Sequence, residues 1–499
     1  MALWANILHF YQPYKQKREI IDAIAAQCYR PVAEGILANP DARITINFTG
    51  VLLDQLVDYG YSDIIEMYAE AARRGQLEFV GSAKYHTTLP LLHPAEAARQ
   101  MQINDETNAK HFGNVYERRG IFLPEMAYAP ELAPGIEAAG FDWVLLDELA
   151  LNGKMNQVDY TKHYRVEGTK LDALFRVHRL SATIMSAGPR DVEALKRAAG
   201  SELNEDRMIV TAMDGETFGH HRIGHEQLLF GMFADPEIQM ARASELLLAF
   251  PDVEVVKTTA CTWASSEYDI ENGVQFVTWK DPKNQLHTMQ WELLQFVTEA
   301  VQTADPKAPG YVLARHRLDP ALASDQFFWS SAKPWWMIEH IEAGAFWLLE
   351  TLESVPGVAA ETVQQGLEMY RQILWVSYDW QRNGKINPPK HTGQDEHVRI
   401  PLRERTLEAG GSGEAVWQAY LDILRTEEMS AVAERNYEAG ILWRDAAYKL
   451  EHKLDIYDSW YVTDLLKAKL PNGAVESVIA RYKADYDHIR GGQVEQRSN

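Results

Sequence analysis

The 499-residue chain is 46% hydrophobic and 24% charged, a composition typical of folded proteins with a large core. It has 71 acidic and 49 basic residues, and the resulting formal net charge of -22 disfavours nucleic acid and anionic membranes as partners. The first residues lack the pattern of a signal peptide, and no apolar run approaches the roughly 20 residues of a transmembrane helix, so we expect a cytoplasmic location. Cys28 and Cys261 have no metal-ligand spacing and are expected to be buried apolar residues.

The first half of the chain alternates short apolar runs with amphipathic stretches. This alternation predicts an α/β fold with a parallel sheet, either a barrel or a doubly wound sheet. No glycine-rich phosphate loop follows a predicted strand, which argues against a nucleotide-binding domain. The predicted strands are Leu3–His9, Ile44–Phe48, Leu77–Gly81, Gly120–Leu123, Trp143–Leu146, Ala173–His178, Met208–Met213 and Val253–Thr258, with helices such as Pro94–Phe112 and Glu131–Ala139 between them.

Helical periodicity dominates the second half, and strand signals nearly vanish after about residue 285. We therefore predict two domains, a catalytic barrel over residues 1–265 and a helical domain over residues 266–499 that contributes to the substrate cleft. The clearest predicted helices are Pro334–Leu352, Glu361–Trp380, Gly413–Glu428 and Ser430–Leu454.

Four segments place polar side chains at the ends of predicted strands, where parallel barrels carry their catalytic groups. The first offers His9 and Gln12, and the second offers Glu78 inside an apolar strand, followed by His86. Each has an ordinary structural explanation: a satisfied histidine at a strand end, and a carboxylate that faces solvent.

The third and fourth segments carry the acids on which the chemistry depends. Glu125 directly follows the strand that stops at Pro124. Six mostly apolar residues run into Asp214-Gly215-Glu216, and His220 and His221 come soon after. Glycoside cleavage needs two carboxyl groups, one to attack or to activate water and one to protonate the leaving oxygen. Asp and His clusters also bind metals, so a metal site at Asp214, His220 and His221 is the main alternative here.

Together the four segments resemble the ordered motifs of glycoside hydrolase family 57. The matching stretches are His9 to Pro13, Gly75 to Glu78, Leu123 to Pro130 and Asp214 to Gly219. The resemblance implies a (β/α)7 barrel followed by a helical domain, and retaining chemistry on α-glucans without a cofactor. It also implies that Glu125 is the nucleophile and Asp214 the general acid/base. The predicted substrate-binding residues in this half are His9, Gln12, Glu78, His86, Glu216 and His220.

The chain departs from the family pattern at Tyr11, where the first motif normally has a second histidine. A tyrosine can donate a hydrogen bond but cannot become a cation, so the departure bears on substrate specificity. In the helical half, Asp325 and Trp329 are the predicted substrate-binding residues, because aromatic faces suit sugar rings and carboxylates suit hydroxyl groups. Further candidates for the cleft lining are Trp263, Trp279 and Asp281.

Three classes of function remain open from the sequence. The first is an α-glucan-active enzyme, with hydrolysis of α-1,4 linkages as the leading choice and glucanotransfer or branching as the alternative. The second is a metal-dependent carbohydrate deacetylase that uses Asp214, His220 and His221. The third is a glucan-binding protein without catalysis, which the presence of both acids disfavours.

Overall fold

The computed structural model describes residues 1–386 except 188, 190, 333, 334 and 384, and also 413–452, 465–466, 469–471, 473–475 and 477–482. Contacts divide the chain into two compact units, Met1–Ile386 and Asn387–Asn499. None of the described helices is long and apolar enough to cross a membrane.

A curled sheet of parallel strands forms the centre of the first unit. Its strands are β1 (Leu3–Phe10), β2 (Ile44–Phe48), β3 (Leu77–Val80), β4 (Gly120–Phe122), β5 (Trp143–Asp147), β7 (Asp172–Arg176) and β8 (Met208–Asp214), and it is flanked by β6 (His163–Val166), β9 (Gln239–Ala241) and β10 (Val253–Val256). The hydrogen-bonded order is β3-β2-β1-β8 in one part and β4-β5-β7 in the other, with β6 antiparallel to β7.

Two joints between these parts curl the sheet into the predicted seven-stranded barrel. At the first joint Gly81 bridges to Ile121, with Gly81 N donating to Gly120 O at 2.8 Å. At the second joint Val177 N, just after β7, donates to Val210 O of β8 at 2.7 Å. The barrel strands are almost wholly buried, which explains why they read as near-continuous apolar runs rather than alternating ones.

Helices surround the barrel and then form the rest of the first unit. Up to residue 271 they are Arg18–Ile24, Arg30–Ala38, Gly50–Asp58, Ser62–Arg73, Pro94–Phe112, Ala133–Ala138, His178–Met185, Val192–Ala199, Glu226–Ala234, Ala243–Ala249 and Glu267–Glu271, with a π-helical turn at Ala25–Tyr29. The later helices of this unit are Gln285–Thr303, Tyr311–Ala321, Asp325–Phe328, Ile338–Glu353 and Ala360–Asn383. The second unit contains Gly413–Ala433 and Tyr437–Glu451.

The first unit has two hydrophobic cores. One includes residues from Ala2 to Cys261 and fills the space in and around the barrel, and the other includes residues from Trp279 to Trp380 in the helical region. Both free cysteines are buried, as predicted. The boundary placed at residue 265 stays a prediction. In the second unit, the two helices pack through a separate core that includes Trp417 and Trp443.

Most predicted elements are confirmed, and the errors have simple causes. The flanking strands β6 and β9 were missed because their sequences, HYRV and QMA, lack an apolar run. The predicted break between Glu428 and Ser430 is wrong, because the helix continues to Ala433. The chain reverses direction after this helix, at Arg435, which has a φ of 59°. The side chain of Asn436 then caps the next helix by accepting a hydrogen bond from Ala439 N. The predicted start at Pro334 lies outside the described residues, and that helix begins at Ile338.

Candidate active site

Polar side chains from several strands meet at the carboxyl end of the barrel. The register pairs His9 of β1 with Asn47 of β2 on one side and with Asp214 of β8 on the other. Asp147 of β5 is paired with Arg176 of β7 in the same way. Because paired residues in parallel strands point to the same face, these side chains form one layer, where barrel enzymes build their active sites.

Glu125 enters this layer from a strained turn after β4. Its φ of 59° and the φ of 46° at Met126 are left-handed values that cost a residue with a side chain about 1–3 kcal/mol each. Trp263 anchors the turn twice, because its backbone N–H donates to Glu125 O at 3.2 Å and its indole N–H donates to Glu125 Oε2 at 2.8 Å. The two hydrogen bonds from Trp263 therefore hold both the strained turn and the carboxyl group of Glu125 in place.

The carboxyl groups of Glu125 and Asp214 interact electrostatically. Burial, the charge of Asp214 and the charge of Asp325 raise the pKa of Glu125 to about 8, although the hydrogen bond from Trp263 opposes the shift. Burial raises the pKa of Asp214 to about 6, and the nearby charge of Arg176 opposes that shift. Both side chains keep some exposed surface. The pair therefore holds one proton between about pH 6 and pH 8, as an acid and a base acting together require.

Glu216 is a third acid in the site. Its Oε1 accepts from the Tyr29 hydroxyl at 2.6 Å, from Tyr11 N at 3.3 Å and from Gln12 Nε2 at 3.4 Å. Burial and the charge of Asp214 raise its pKa to about 8, so it carries a proton at neutral pH. The structure thus brings the predicted residues Gln12, Glu216 and Asp214 together.

The glycine between Asp214 and Glu216 is required by packing. A Cβ on Gly215 would lie 2.0 Å from the Phe10 ring. Any larger residue would force the buried Phe10 ring or the chain at this position to shift. The sequence Asp-Gly-Glu is therefore fixed by geometry as well as by chemistry.

His9 is neutral and has a defined tautomer. Asn47 donates both its amide hydrogens to backbone oxygens, so its Oδ1, which lies 2.6 Å from His9 Nδ1, acts as the acceptor. His9 Nδ1 therefore carries the hydrogen, and burial lowers the histidine pKa to about 4. His9 Nε2 has no hydrogen-bond partner within the described residues. A lone pair there suits the hydroxyl of a sugar.

Contacts of Tyr11 and His86 with Ser324 and Asp325 join the barrel to the helical region. The Tyr11 hydroxyl donates to Asp325 Oδ2 at 2.5 Å, and its ring stacks on His86 with centroids 3.8 Å apart. Ser324 Oγ donates to His86 O at 2.6 Å and lies 3.2 Å from His86 Nδ1. The tyrosine that departs from the family motif therefore contacts two of the predicted binding residues. Burial raises the pKa of Asp325, and the hydrogen bond from Tyr11 opposes that rise.

Arg176 is a site residue that sequence reasoning missed. Its side chain is 2% exposed, and its Nε lies 3.1 Å from Asp147 Oδ2. Its guanidinium lies over the Trp263 ring, 5.7 Å from the centroid, and its charge acts on Asp214. A buried cation at the end of an apolar strand was visible in the sequence. The same rule that selected Asp214 would have selected it.

Two predicted residues are placed differently from Glu125 and Asp214. Glu78 is level with Thr45 and Ile7, two residues before His9 along the barrel, and it accepts hydrogen bonds from Thr45 and Ser244. His220 faces away to Gln27, with Nδ1 2.7 Å from Oε1. Substrate binding by Glu78 and His220 stays a prediction.

The remaining aromatic candidates are Trp329, Trp263 and Trp279. Trp329 is half-buried and stacks on His340, whose charge acts on Asp325. Trp263 contacts Glu125 directly, as described above. Trp279 is buried, and its ring lies beside Phe328 with centroids 6.4 Å apart. In the described part of the chain, no group of three or more His, Cys, Asp or Glu side chains is arranged to hold a metal ion.

Comparisons with known proteins agree with this geometry. The sequence pattern described as glycosyl hydrolase family 57 matches residues 5–256. A 4-alpha-glucanotransferase of Thermococcus kodakarensis and an alpha-amylase of Pyrococcus furiosus are each 24% identical over 214 residues, which is 42% of this chain and 32% of each relative. The chain thus matches about a third of the length of these relatives.

A solved structure shows the same fold. The GH57-type branching enzyme of Pyrococcus horikoshii superposes with a TM-score of 0.56 at 16% identity, covering 76% of this chain and 96% of that one. The sequence match spans the barrel strands and both acids of the pair. This chain belongs to glycosyl hydrolase family 57.

Proposed function

We propose that this protein is a retaining enzyme that cleaves α-1,4 linkages of α-glucans, with Glu125 as nucleophile and Asp214 as general acid/base. The observation that carries the proposal is the partly buried, electrostatically coupled pair Glu125 and Asp214 at the carboxyl end of the barrel. Family membership and relatives named amylase and glucanotransferase support the substrate class. The cytoplasmic location stays a prediction.

In the first step, the Glu125 carboxylate would attack the anomeric carbon while Asp214 gives its proton to the leaving oxygen. In the second step, the Asp214 carboxylate would take a proton from water, which attacks the same carbon and releases Glu125. A sugar hydroxyl in place of water gives glucanotransfer or branching, which is the second candidate. The same intermediate serves all three outcomes.

The proton of the free pair must move for the first step. Burial and the neighbouring carboxylates raise the pKa of Glu125, whereas attack requires this side chain to be ionised and the proton to be on Asp214. Substrate binding can supply the free energy for this transfer. The indole N–H of Trp263 stabilises the ionised Glu125 by its hydrogen bond to Oε2.

Azide rescue of two variants tests the roles. Glu125→Gly suits the left-handed backbone at this position. With α-maltosyl fluoride and azide, we expect it to form the β-azide, because azide replaces the missing nucleophile. Asp214→Gly should form the α-azide, because azide attacks the glycosyl-enzyme. Exchanged anomers would reverse the roles, and no azide product from either variant would reject the proposal.

A further inference from the structure

A cavity of about 430 Å³ lies at the beginning of the helical region of the first unit. One wall is the loop that precedes the helix Gln285–Thr303, and the other wall is the first half of that helix. Its size is within the range of small-molecule sites, about 300–1,000 Å³. The lining residues used below are Phe276, Lys280, Asp281, Trp291, Glu292 and Gln295.

The cavity is distinct from the catalytic pair but shares a wall with the site region. None of its lining residues contributes to the layer around Glu125 and Asp214. Its inner residues His287 and Trp291 hold Phe327, because His287 Nε2 lies 2.9 Å from Phe327 O and the Trp291 and Phe327 rings stack at 4.2 Å. Phe327 belongs to the short helix that begins with Asp325, so the cavity adjoins the element that reaches Tyr11.

The lining combines aromatic surface with polar groups of both signs. Phe276 is partly exposed in the loop, and Trp291 forms the inner wall, with Lys280 Nζ 5.4 Å from its ring centroid. Asp281 and Glu292 add carboxylates, which disfavour an anionic ligand. A wholly apolar ligand would take the exposed charges of Lys280 and Glu292 out of water. A neutral ligand with hydroxyl groups and an apolar ring face matches both the polar groups and the aromatic surface of the lining.

We propose that this cavity is a second binding site for an α-glucan, which holds one or two sugar rings of a chain away from the point of cleavage. The partly exposed Phe276 contacts the C–H face of a ring, and the exposed Glu292 and Gln295 bond its hydroxyl groups. The ligand class rests on the proposed function. The site itself rests on the cavity and its lining.

Calorimetric titration of maltoheptaose tests the site in a Glu125→Gln background, where cleavage is suppressed. We expect a second binding event that Phe276→Ala weakens about tenfold. Gln295→Ala, on the exposed helix face, should weaken it less. The matched control is Tyr268→Ala, which removes a 65% exposed aromatic outside the cavity and should leave both events unchanged.

Kinetics of the active chain separate this inference from the proposed function. Phe276→Ala should lower kcat/KM several-fold on long glucans and leave it unchanged on maltotriose, which is too short to reach a second site. Equal binding of maltoheptaose by the Phe276→Ala, Gln295→Ala and parent proteins would overturn the second site even if maltotriose is cleaved. Cleavage of maltotriose tests the proposed function without a contribution from the cavity.

Discussion

Two groups of buried charges in the first unit are built in opposite ways. In the layer at the carboxyl end of the barrel, here called the catalytic layer, Glu125 and Asp214 are partly buried, Glu216 is buried, and the pKa of each is raised. At the contact between the helices Pro94–Phe112 and Tyr311–Ala321, every buried carboxylate faces an arginine. Arg315 binds Glu96 with both oxygens at 2.7–2.9 Å, and Arg99 binds Asp319 with both at 2.7 Å.

The difference separates chemistry from architecture. Bidentate pairs fix the charge and the geometry of both partners. The arginine pairs therefore fix the helix Pro94–Phe112 to the helix Tyr311–Ala321, which precedes Asp325. Acids without such partners keep their protons near neutral pH and remain able to exchange them. We infer that the arginine pairs hold the segment around Asp325 in place, whereas the acids without an arginine partner take part in the reaction.

The largest effect is expected from removing the proton donor of the catalytic layer. Asp214→Asn cannot protonate a leaving oxygen, so hydrolysis of maltooligosaccharides should slow by about 10²–10⁴-fold. Activated substrates such as α-maltosyl fluoride need no acid and should lose far less in the glycosylation step. Steady-state and burst kinetics on both substrates measure this, and equal losses would contradict the acid role.

Breaking the paired group should cost stability. Arg315→Leu leaves the buried Glu96 without its bidentate partner, and we expect a loss of about 3–5 kcal/mol in the free energy of unfolding. Arg119→Leu is the matched control, because its pair with Asp142 is mostly exposed and should contribute less than about 1 kcal/mol. Urea unfolding of both variants gives the comparison. Similar losses in the two would show that the buried pair has no special role.

Neutralising an unpaired acid should instead increase stability, in a pH-dependent way. The pKa of Glu216 is about 8 in the folded chain and 4.5 in its ordinary state, so the folded protein binds more protons between these values and loses stability as the pH rises. Glu216→Gln removes this loss, and Gln can still accept from Tyr29. The variant should match the parent near pH 5 and exceed it by about 1–3 kcal/mol at pH 8. A gain that does not vary with pH would contradict the raised pKa.

The smallest effect is expected at the hydrogen bond between Tyr11 of the barrel and Asp325 of the helical region. Tyr11→Phe keeps the ring on His86 but removes the hydrogen bond to Asp325, so kcat/KM should fall about 5- to 20-fold on short maltooligosaccharides. Unfolding should change little, because the ring packing remains. Unchanged kinetics would mean that Asp325 is positioned by Ser324 and His86 alone.

The sequence was sufficient to predict the barrel and both acids, because parallel strands leave continuous apolar runs and their carboxyl ends gather polar residues. Strand-end positions marked Glu125 and Asp214 as candidates, the resemblance to the family motifs paired them in one site, and their roles stay predictions. It could not predict the left-handed turn at Glu125, since a non-glycine residue gives no sign of a positive φ. It also could not predict that Trp263, 138 positions later in the chain, donates to that carboxyl group.

Long-range pairing explains the other gaps. The position of Arg176 at a strand end was visible in the sequence, but its pairing with Asp147 was not, because only the barrel register brings the two strands together. The arginine pairs of the helical region join residues about 220 positions apart, a separation that no local pattern reveals. Glu78 shows the opposite situation. Its place in the family motif is clear from the sequence, but the sequence does not reveal that its carboxylate accepts hydrogen bonds from Thr45 and Ser244.

Trapping the covalent intermediate tests the central claim most directly. An α-glucan-type donor with a 5-fluoro substituent and a fluoride leaving group should react with the intact protein and stall at the glycosyl-enzyme. Peptide mass spectrometry should then find the added sugar on the Glu125 side chain, and Glu125→Gln should remain unlabelled. A label on Asp214 or Glu216 in the parent protein, or turnover of the donor with no label on any carboxylate, would contradict the account.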